Sequence, residues 1–556
     1  MKSMFMHLFF LGILPILLLE NSWAGPFGYY MTYHEADSVF ANVQTKHPTL
    51  FKRFNLSLKT NENRDIYAAK LSNSPDVDNK KPMAMITAHQ HASEPIGTAI
   101  IRDEIVYLTE NYNTDPEAKW LVDNRQIFFV PVMNPDGSEY VRTKPDRNWR
   151  KNRRVNSDNS IGVDLNRNFP YKWGYDDKNS SGTPSAFTYR GTKPASEPET
   201  QAIMTFVNQN KIRTWQNHHC DGDVLVIPHG YDYRVKLPLQ DTIAYEALCR
   251  GQQAAYGRFK KWGPSFIAYN EWALNGGSED WGWSDSATYK VYTIITELGT
   301  GYWEADAVAK VTATKMLGAD RFMIESAGFF PKIKGLTLSD QCEICNKNGI
   351  ANPGETVDIK IQVYNQSVWD TTLNVRGYLS SPSTSLTYPD SIGGYGNVVE
   401  LATVRNDADG FTVALAGNTP PNQKIPMRMR MTWELAGVAY EKTVLCTLSV
   451  GPATLALKNG KTLSQESFLD RASSSKHGVQ FNLPLSLANN RLSESSTLQI
   501  FTSNGLVRSF DYPSSTPKYV MWDRLNQNGQ RVGPGLYFAV WTSREGKTMN
   551  RFPLVD

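Results

Sequence analysis

The feature that most constrains this chain is a change of period near residue 330. From about Phe27 to about Phe330, apolar β-type runs alternate with amphipathic runs of helix length, the pattern of an α/β sheet. Met83–Ala88 reads as a buried strand. Pro95–Leu108 reads as a helix with proline in its first turn. Arg125–Met133 and Val291–Thr296 are further strands, and Ser196 is placed to cap a helix running to about Gln209. Beyond Phe330 the helical period stops. Short alternating runs such as Thr356–Tyr364, separated by turn residues, predict an antiparallel β-sandwich to about residue 451. A last β-rich segment, 452–556, holds Leu498–Thr502 and Gly535–Trp541. At roughly 100–200 residues per domain, a chain of 556 residues has room for these three parts.

The N-terminus has the form of a secretory leader. Lys2 is followed by the apolar run Leu8–Leu19, and Ser22-Trp23-Ala24 supplies small residues at the positions a signal peptidase reads. The run is short for a span and Pro15 interrupts it, so cleavage after Ala24 is expected, with no membrane span left behind. The expected bounds are therefore 1–24 for the leader, then 25–330, 331–451 and 452–556. Lys+Arg 58 against Asp+Glu 55 leaves a net charge of +3, which argues against a nucleic-acid partner. Five cysteines, Cys220, Cys249, Cys342, Cys345 and Cys446, are an odd number. Cys342 and Cys345 have knuckle spacing but no second pair, so a disulfide involving Cys446 or plain thiols is expected rather than a metal.

Eight of the nine histidines precede residue 230, which assigns histidine chemistry to the first segment. His89, His91 and Glu94 lie between a strand and a helix, where open α/β sheets gather ligands. One turn can aim both His91 and Glu94 at a single ion. His218 and His219 end a β-run, and neighbours on a strand face opposite ways, so only one of them can join. Glu297 ends the strand at Val291–Thr296, where a carboxylate requires a partner or a task. Arg150, Asn166 and Arg167 supply donors suited to a carboxylate or an oxyanion.

These residues sit in ordered motifs. His91-Ala-Ser-Glu94, Asn134-Pro-Asp-Gly137, Trp149–Arg153, Gly162–Asn168, His219 and Thr296-Glu-Leu298 follow the order of the zinc carboxypeptidase family of the A/B type, which the first segment resembles over nearly its whole length. Tyr33-His-Glu, Tyr189-Arg-Gly191, Ser196–Glu199 and Gly276–Trp281 extend the likeness. The resemblance implies a carboxypeptidase-like domain with a mixed, eight-stranded-type sheet and flanking helices. It implies one zinc ion held by His91, Glu94 and His219, with His219 preferred to His218 by its distance to Pro228. Glu297 then resembles the general base, Arg150 the oxyanion stabiliser, and Asn166 with Arg167 the clamp for a terminal carboxylate. The family places a tyrosine shortly before the Gly-Gly-Ser motif. Without a gap Trp272 falls there, and Tyr269 lies three residues earlier. Glu279 stands where relatives that prefer Lys or Arg carry an acid, so a basic C-terminal preference is expected.

The rear segments resemble modules of bacterial exoenzymes. Asn352-Pro-Gly-Glu355 resembles the start of an immunoglobulin-like module, and Trp522-Asp523 with Asn528–Val532 resembles a hook-cap-type β-domain found at the C-terminus of exported proteins. They are read either as spacers or as contacts for a cell surface or the secretion machinery. The expected function is secreted or surface-held zinc carboxypeptidase acting on peptide C-termini. The competing readings are a cell-wall γ-D-glutamyl-diaminopimelate peptidase of the same fold and an inactive surface-binding relative. No pro-segment of the animal type is read after Ala24, so no zymogen of that kind is expected.

Overall fold

The structure is a computed structural model. It describes residues 28–451 except 145–146, 270–272, 285–288, 341–348 and 370, and beyond them 472–475, 478–482, 496–502, 505–512, 519–533, 535–543 and 546–554. The leader, Trp272, Cys342 and Cys345 lie outside the described residues. By contacts the chain forms two compact units: residues 1–337, 359–413 and 424–448, and residues 338–358, 414–423 and 449–556.

The first unit is built on one mixed sheet. In chain order its elements are α1 (Tyr33–Lys46), β1 (Phe51–Asn55), β2 (Tyr67–Leu71), β3 (Met83–Ala88), α2 (Ile96–Glu110), α3 (Pro116–Asn124), β4 (Gln126–Val130), α4 (Pro135–Thr143), α5 (Pro198–Gln209), β5 (Ile212–His219), β6 (Val224–Val226), α6 (Leu239–Tyr256), β7 (Lys261–Gly263), α7 (Ser265–Ala268), α8 (Ser278–Trp283), β8 (Tyr292–Glu297) and α9 (Asp306–Ser326). The eight strands lie in the order β1-β2-β4-β3-β5-β8-β6-β7. β4, β3, β5 and β8 run parallel at its centre.

Every residue of β3 and β4 is buried, as expected for parallel strands covered on both faces. One cover packs Phe40, Ile101, Ile105 and Leu121 against Ile86 and Phe129. The other packs Phe128, Trp215 and Trp281 against Ile203 and Phe206. Local signals set the helix starts. Thr32 and Glu35 form a capping box on α1, and Asp115 caps α3 with Pro116 at its first position. The helix after Ser196 starts later than the sequence suggests. Glu197 stands at its cap without a side-chain cap bond, and Ser196 Oγ instead donates to Glu197 Oε1 at 2.6 Å.

Past α9 come β9 (Pro331–Asp340), β10 (Thr356–Asn365), β11 (Thr372–Ser380), β12 (Leu386–Asp390), β13 (Ile392–Val398), β14 (Thr403–Arg405), β15 (Phe411–Leu415), β16 (Lys424–Leu435) and β17 (Val438–Ser449). They form the sheets β12-β15-β10-β14 and β13-β11-β16-β17, with β9 pairing β10. The strict in-out burial of β16 follows its alternation of Met or Ile with Lys, Arg or Pro. Within the first unit these strands are packed into the mixed-sheet region. Val368 is part of the core that holds Ile294, Leu317 and Met323. Gln366 N donates to Phe330 O at 3.1 Å, and Trp369 Nε1 donates to Arg213 O at 2.9 Å. Trp120 on α3 donates to Glu441 O at 2.7 Å.

The strands described beyond 451 form the sheets Ala472–Ser475, Gly478–Asn482, Tyr519–Trp522 and Gly505–Tyr512, Ser496–Thr502, Gly535–Ser543, Gly546–Leu554. The Asn528-Gly529 pair turns the chain between the bridged residues Leu525 and Arg531, with Gly529 at φ 75°. Cys220, Cys249 and Cys446 are free thiols, so of the two alternatives for Cys446 the structure has the plain thiol. Among the described residues no helix is long and apolar enough to cross a membrane.

Candidate metal centre and active site

The chemistry-bearing residues sit at the carboxyl ends of three adjacent parallel strands. β3 leads into the loop carrying His91 and Glu94, β5 ends at His219, and β8 ends at Glu297. The β5–β8 register places Glu297 opposite His219. The alternation of β5 separates the two histidines. His219 turns to Glu94, while His218 binds Thr296 Oγ1 at 2.7 Å and Asp320 Oδ2 at 3.1 Å on the other face.

The loop after β3 is shaped by His89, a residue to which the sequence pattern gives no firm role. His89 has φ 55°, in the left-handed region, and its Nε2 lies 2.9 Å from Ala92 O. Asn134 fixes the loop from beside it. Its Nδ2 donates to Gln90 O at 3.3 Å and Lys151 O at 3.1 Å, and its Oδ1 accepts from Gly137 N at 2.9 Å. A Cβ on Gly137 would come within 2.5 Å of Asn134 Nδ2, so the Asn-Pro-Asp-Gly motif needs its glycine.

His91, Glu94 and His219 are 2%, 2% and 1% exposed, and their ligand atoms lie within 4.8 Å of one another. His91 Nδ1 is 2.9 Å from Glu94 Oε1, His219 Nδ1 is 2.8 Å from Glu94 Oε2, and the two Nδ1 atoms are 3.0 Å apart. The outer nitrogens are held from behind. His91 Nε2 lies 3.2 Å from Asp164 Oδ1, and His219 Nε2 lies 3.1 Å from Gln90 Oε1. An acceptor on the outer nitrogen leaves the inner nitrogen as a lone pair aimed at the shared point. Two imidazoles and a carboxylate so arranged are a zinc donor set of the catalytic kind, with three protein ligands. Burial pushes His219 down to about 4, Glu94 opposing it, so the imidazole is neutral at ordinary pH. A ligating histidine must be neutral.

Glu297 Oε2 is buried with no hydrogen-bond partner among the described residues. Burial, then the charge of Glu94, pushes Glu297 well above the usual carboxylate range, against opposing pulls from Tyr269 and Arg150. Tyr269 brings its hydroxyl to this carboxylate and donates to Asp221 O at 2.8 Å. Of the two candidate capping residues, Tyr269 is therefore the one the described structure shows beside Glu297.

Arg150 donates from Nε to Asp164 Oδ2 at 2.9 Å, and its Nη1 lies 3.4 Å from Glu94 Oε1. Burial opposes its charge, but Asp164 and Glu94 raise its pKa above the usual value. Asp164 is a functional residue that sequence reasoning does not single out. It joins His91, Arg150 and the Asn166 amide, and despite burial Arg150, Arg167 and His91 hold it well below the usual range. Its one signal in the sequence is its place inside the Gly162–Asn168 motif. Gln90 and Asn217 escape sequence reasoning too. Asn217 Nδ2 donates to Gln90 Oε1 at 2.8 Å and so supports the partner of His219.

Arg167 is fixed by bonds from Nε to Asn179 O at 2.7 Å and from Nη1 to Asn166 O at 2.9 Å. Asn166 Oδ1 accepts from Ser278 N at 3.0 Å. Gly276, with φ 72°, lies so close that a Cβ there would stand 2.5 Å from Arg167 O. The Gly-Gly-Ser motif is therefore the seat of this pair. A cavity of about 520 Å³ opens over Arg167, walled by Tyr175, Tyr231, Tyr233 and Phe266. Glu279 does not line it. The side chain is 0% exposed, with both oxygens unpartnered among the described residues. A Cβ on Gly230 or Gly277 would lie 2.4 Å from its carboxylate. Burial, then Asp280, pushes Glu279 well above the usual range.

The family profile described as zinc carboxypeptidase matches residues 36–314. A zinc carboxypeptidase of Saccharothrix mutabilis subsp. capreolus is 29% identical over 327 residues, covering 56% of this chain and 73% of that protein. Mast cell carboxypeptidase A of Mus musculus is 30% identical over 263 residues, covering 45% of this chain and 60% of that one. Among solved structures, bovine thrombin-activatable fibrinolysis inhibitor in complex with tick carboxypeptidase inhibitor is 25% identical, with a TM-score of 0.47 over 54% of this chain and 97% of that chain.

Proposed function

The chain belongs to the zinc carboxypeptidase family, and from that premise we propose that it removes the C-terminal residue of peptides. The observation that carries this reading is that Asp164 ties the two groups together, with its Oδ1 3.2 Å from His91 Nε2 of the metal cluster and its Oδ2 3.9 Å from Arg167 Nη1. A zinc ion bound by the cluster supplies a Lewis acid and water of pKa about 7. Glu297, with Oε2 unengaged, is the base that takes the attacking water's proton and passes it to the leaving amine. Arg150 offers a fixed positive charge where the scissile carbonyl oxygen becomes negative. The planar fork of Arg167 and the amide NH2 of Asn166 hold the terminal carboxylate, so only a free chain end is placed for cleavage.

We extend the reading to a basic side chain at the C-terminus. Glu279 supports it as an enclosed carboxyl without a hydrogen-bond partner among the described residues, in the segment that seats the clamp. A Lys or Arg side chain reaching it would supply the missing partner. Tyr269 is proposed to cover the substrate. Secretion is proposed on the leader pattern at residues 1–24, and a cell-surface or secretion-machinery contact on the rear β-segments.

The test is zinc content together with a panel of blocked dipeptides differing in the last residue. The reading expects about one zinc per chain and fastest release of Arg or Lys. Faster release of Phe than Arg would overturn the basic preference. Cleavage confined to γ-glutamyl-diaminopimelate bonds would overturn the peptide reading, and absence of zinc would overturn the metal centre.

A further inference from the structure

Arg150 is held along its edge by carboxylates, and one face of its guanidinium is covered by a ring. Phe187 stands with its ring centroid 5.4 Å from Arg150 Cζ. That ring is 53% exposed, whereas the Arg150 side chain beside it is only 12% exposed. The loop that carries the ring is tied to the arginine's own segment. Lys151, buried next to Arg150, donates to Pro184 O at 3.1 Å and Ala186 O at 3.0 Å. Asp164 N donates to Tyr189 O at 2.8 Å, and Ser181 N donates to Thr188 O at 2.9 Å. Phe187 thus sits on a tab fixed at both ends to the residues that flank and bind Arg150.

We propose that Phe187 is a positioning residue for Arg150. Its ring holds the guanidinium plane over the cleft so that the charge faces the oxygen that becomes negative. The proposal rests on the role given to Arg150 above. A ring–guanidinium contact of this kind is worth about 0.5–2 kcal/mol, which corresponds to roughly a two- to thirtyfold effect on rate.

The experiment uses the zinc-loaded full chain and the variants Phe187→Ala, Phe187→Tyr and Arg150→Ala. It measures kcat and KM on a blocked dipeptide, and the affinities for a phosphonate peptide analogue and for the free amino-acid product. For Phe187→Ala, kcat should fall about tenfold with KM within about twofold. Phosphonate affinity should fall by the same factor as kcat/KM, product affinity should hold, and Phe187→Tyr should restore both kcat and phosphonate affinity. Unchanged kcat in Phe187→Ala while Arg150→Ala is severely impaired would overturn the proposal and leave the active-site reading intact. A rise in KM alone would make the ring a substrate wall and overturn it too. Equal losses of phosphonate and product binding would show a collapsed loop and would likewise overturn it. Near-normal activity of Arg150→Ala would overturn the reading beneath it.

Discussion

Two buried charged clusters of the first unit, one at the strand ends and one around Arg125, use the same residue types in opposite ways. Arg125 is 1% exposed and spends its donors on backbone, reaching Ile324 O at 3.0 Å, Glu325 O at 2.8 Å, Gly328 O at 2.9 Å and Phe329 O at 3.2 Å. Trp120 covers its face with the ring centroid 4.8 Å from Cζ. Nearby Glu325 accepts from Gln366 Nε2 at 2.8 Å and pairs with Lys332 at 3.3 Å. This cluster joins α3, the end of α9 and the strands beyond by saturating its groups. At the strand ends, the ligand atoms of His91, Glu94 and His219 gather within 4.8 Å of one another, and Glu297 Oε2 has no partner among the described residues. Burial of charge is common to both. Convergence of unshared lone pairs separates the working site from the joint. Glu104 shows that lack of a partner alone is no sufficient sign: both its oxygens lack hydrogen bonds among the described residues, yet it only faces Arg321 at 3.8 Å on the back of α2.

The difference makes opposite mutational predictions. Glu297→Gln should lower turnover by about 10³-fold with zinc content and melting temperature retained. Retained turnover would remove Glu297 as the base. Arg125→Ala should do the reverse, costing about 3 kcal/mol of unfolding free energy by stranding buried carbonyls. Its kcat per folded molecule should stay within about twofold. A variant that melts normally and turns over slowly would erase the distinction between the clusters. Arg167→Ala should reduce kcat/KM about 10²-fold, mostly through KM, because it removes one partner of a buried charge pair. Glu279→Gln should narrow the preference for Arg over Phe by about tenfold. An unchanged ratio would place the determinant in a residue other than Glu279.

The smallest effect concerns pH. Burial, then a hydrogen bond with Glu117, raises Glu325 from its ordinary 4.5 to about 7. The folded chain therefore holds a proton that the unfolded chain releases across that window. The stability contributed is full below pH 4.5 and is lost as pH rises through about 7. Glu325→Gln should flatten the fall of melting temperature between pH 5 and 7. An unaltered slope would show that Glu325 does not carry it.

What was legible in the sequence follows from what is local. The alternation of His218 and His219 on one strand left a single ligand from that pair, and the period change marked where helices end. Pro95 marked the start of α2. Ser196 misled because its hydroxyl finds Glu197 instead of the helix amides, a choice made by side-chain contact rather than by pattern. Asp164 and Gln90 could not be ranked, because their task is to hold a histidine brought from elsewhere in the chain. The joint at Arg125 was unreadable for a like reason. The sequence suggested a boundary near 330, while Val368 and Trp369 pack back into the preceding core through contacts far apart along the chain.

The central claim is that a metal centre and a carboxylate clamp act on one substrate. The direct test compares kcat/KM of the zinc-loaded full chain for one Arg-ended peptide as its free acid and as its C-terminal amide. The account predicts at least a roughly 10²-fold preference for the free acid, abolished in Arg167→Ala. Equal rates on acid and amide, or a preference that survives Arg167→Ala, would contradict it.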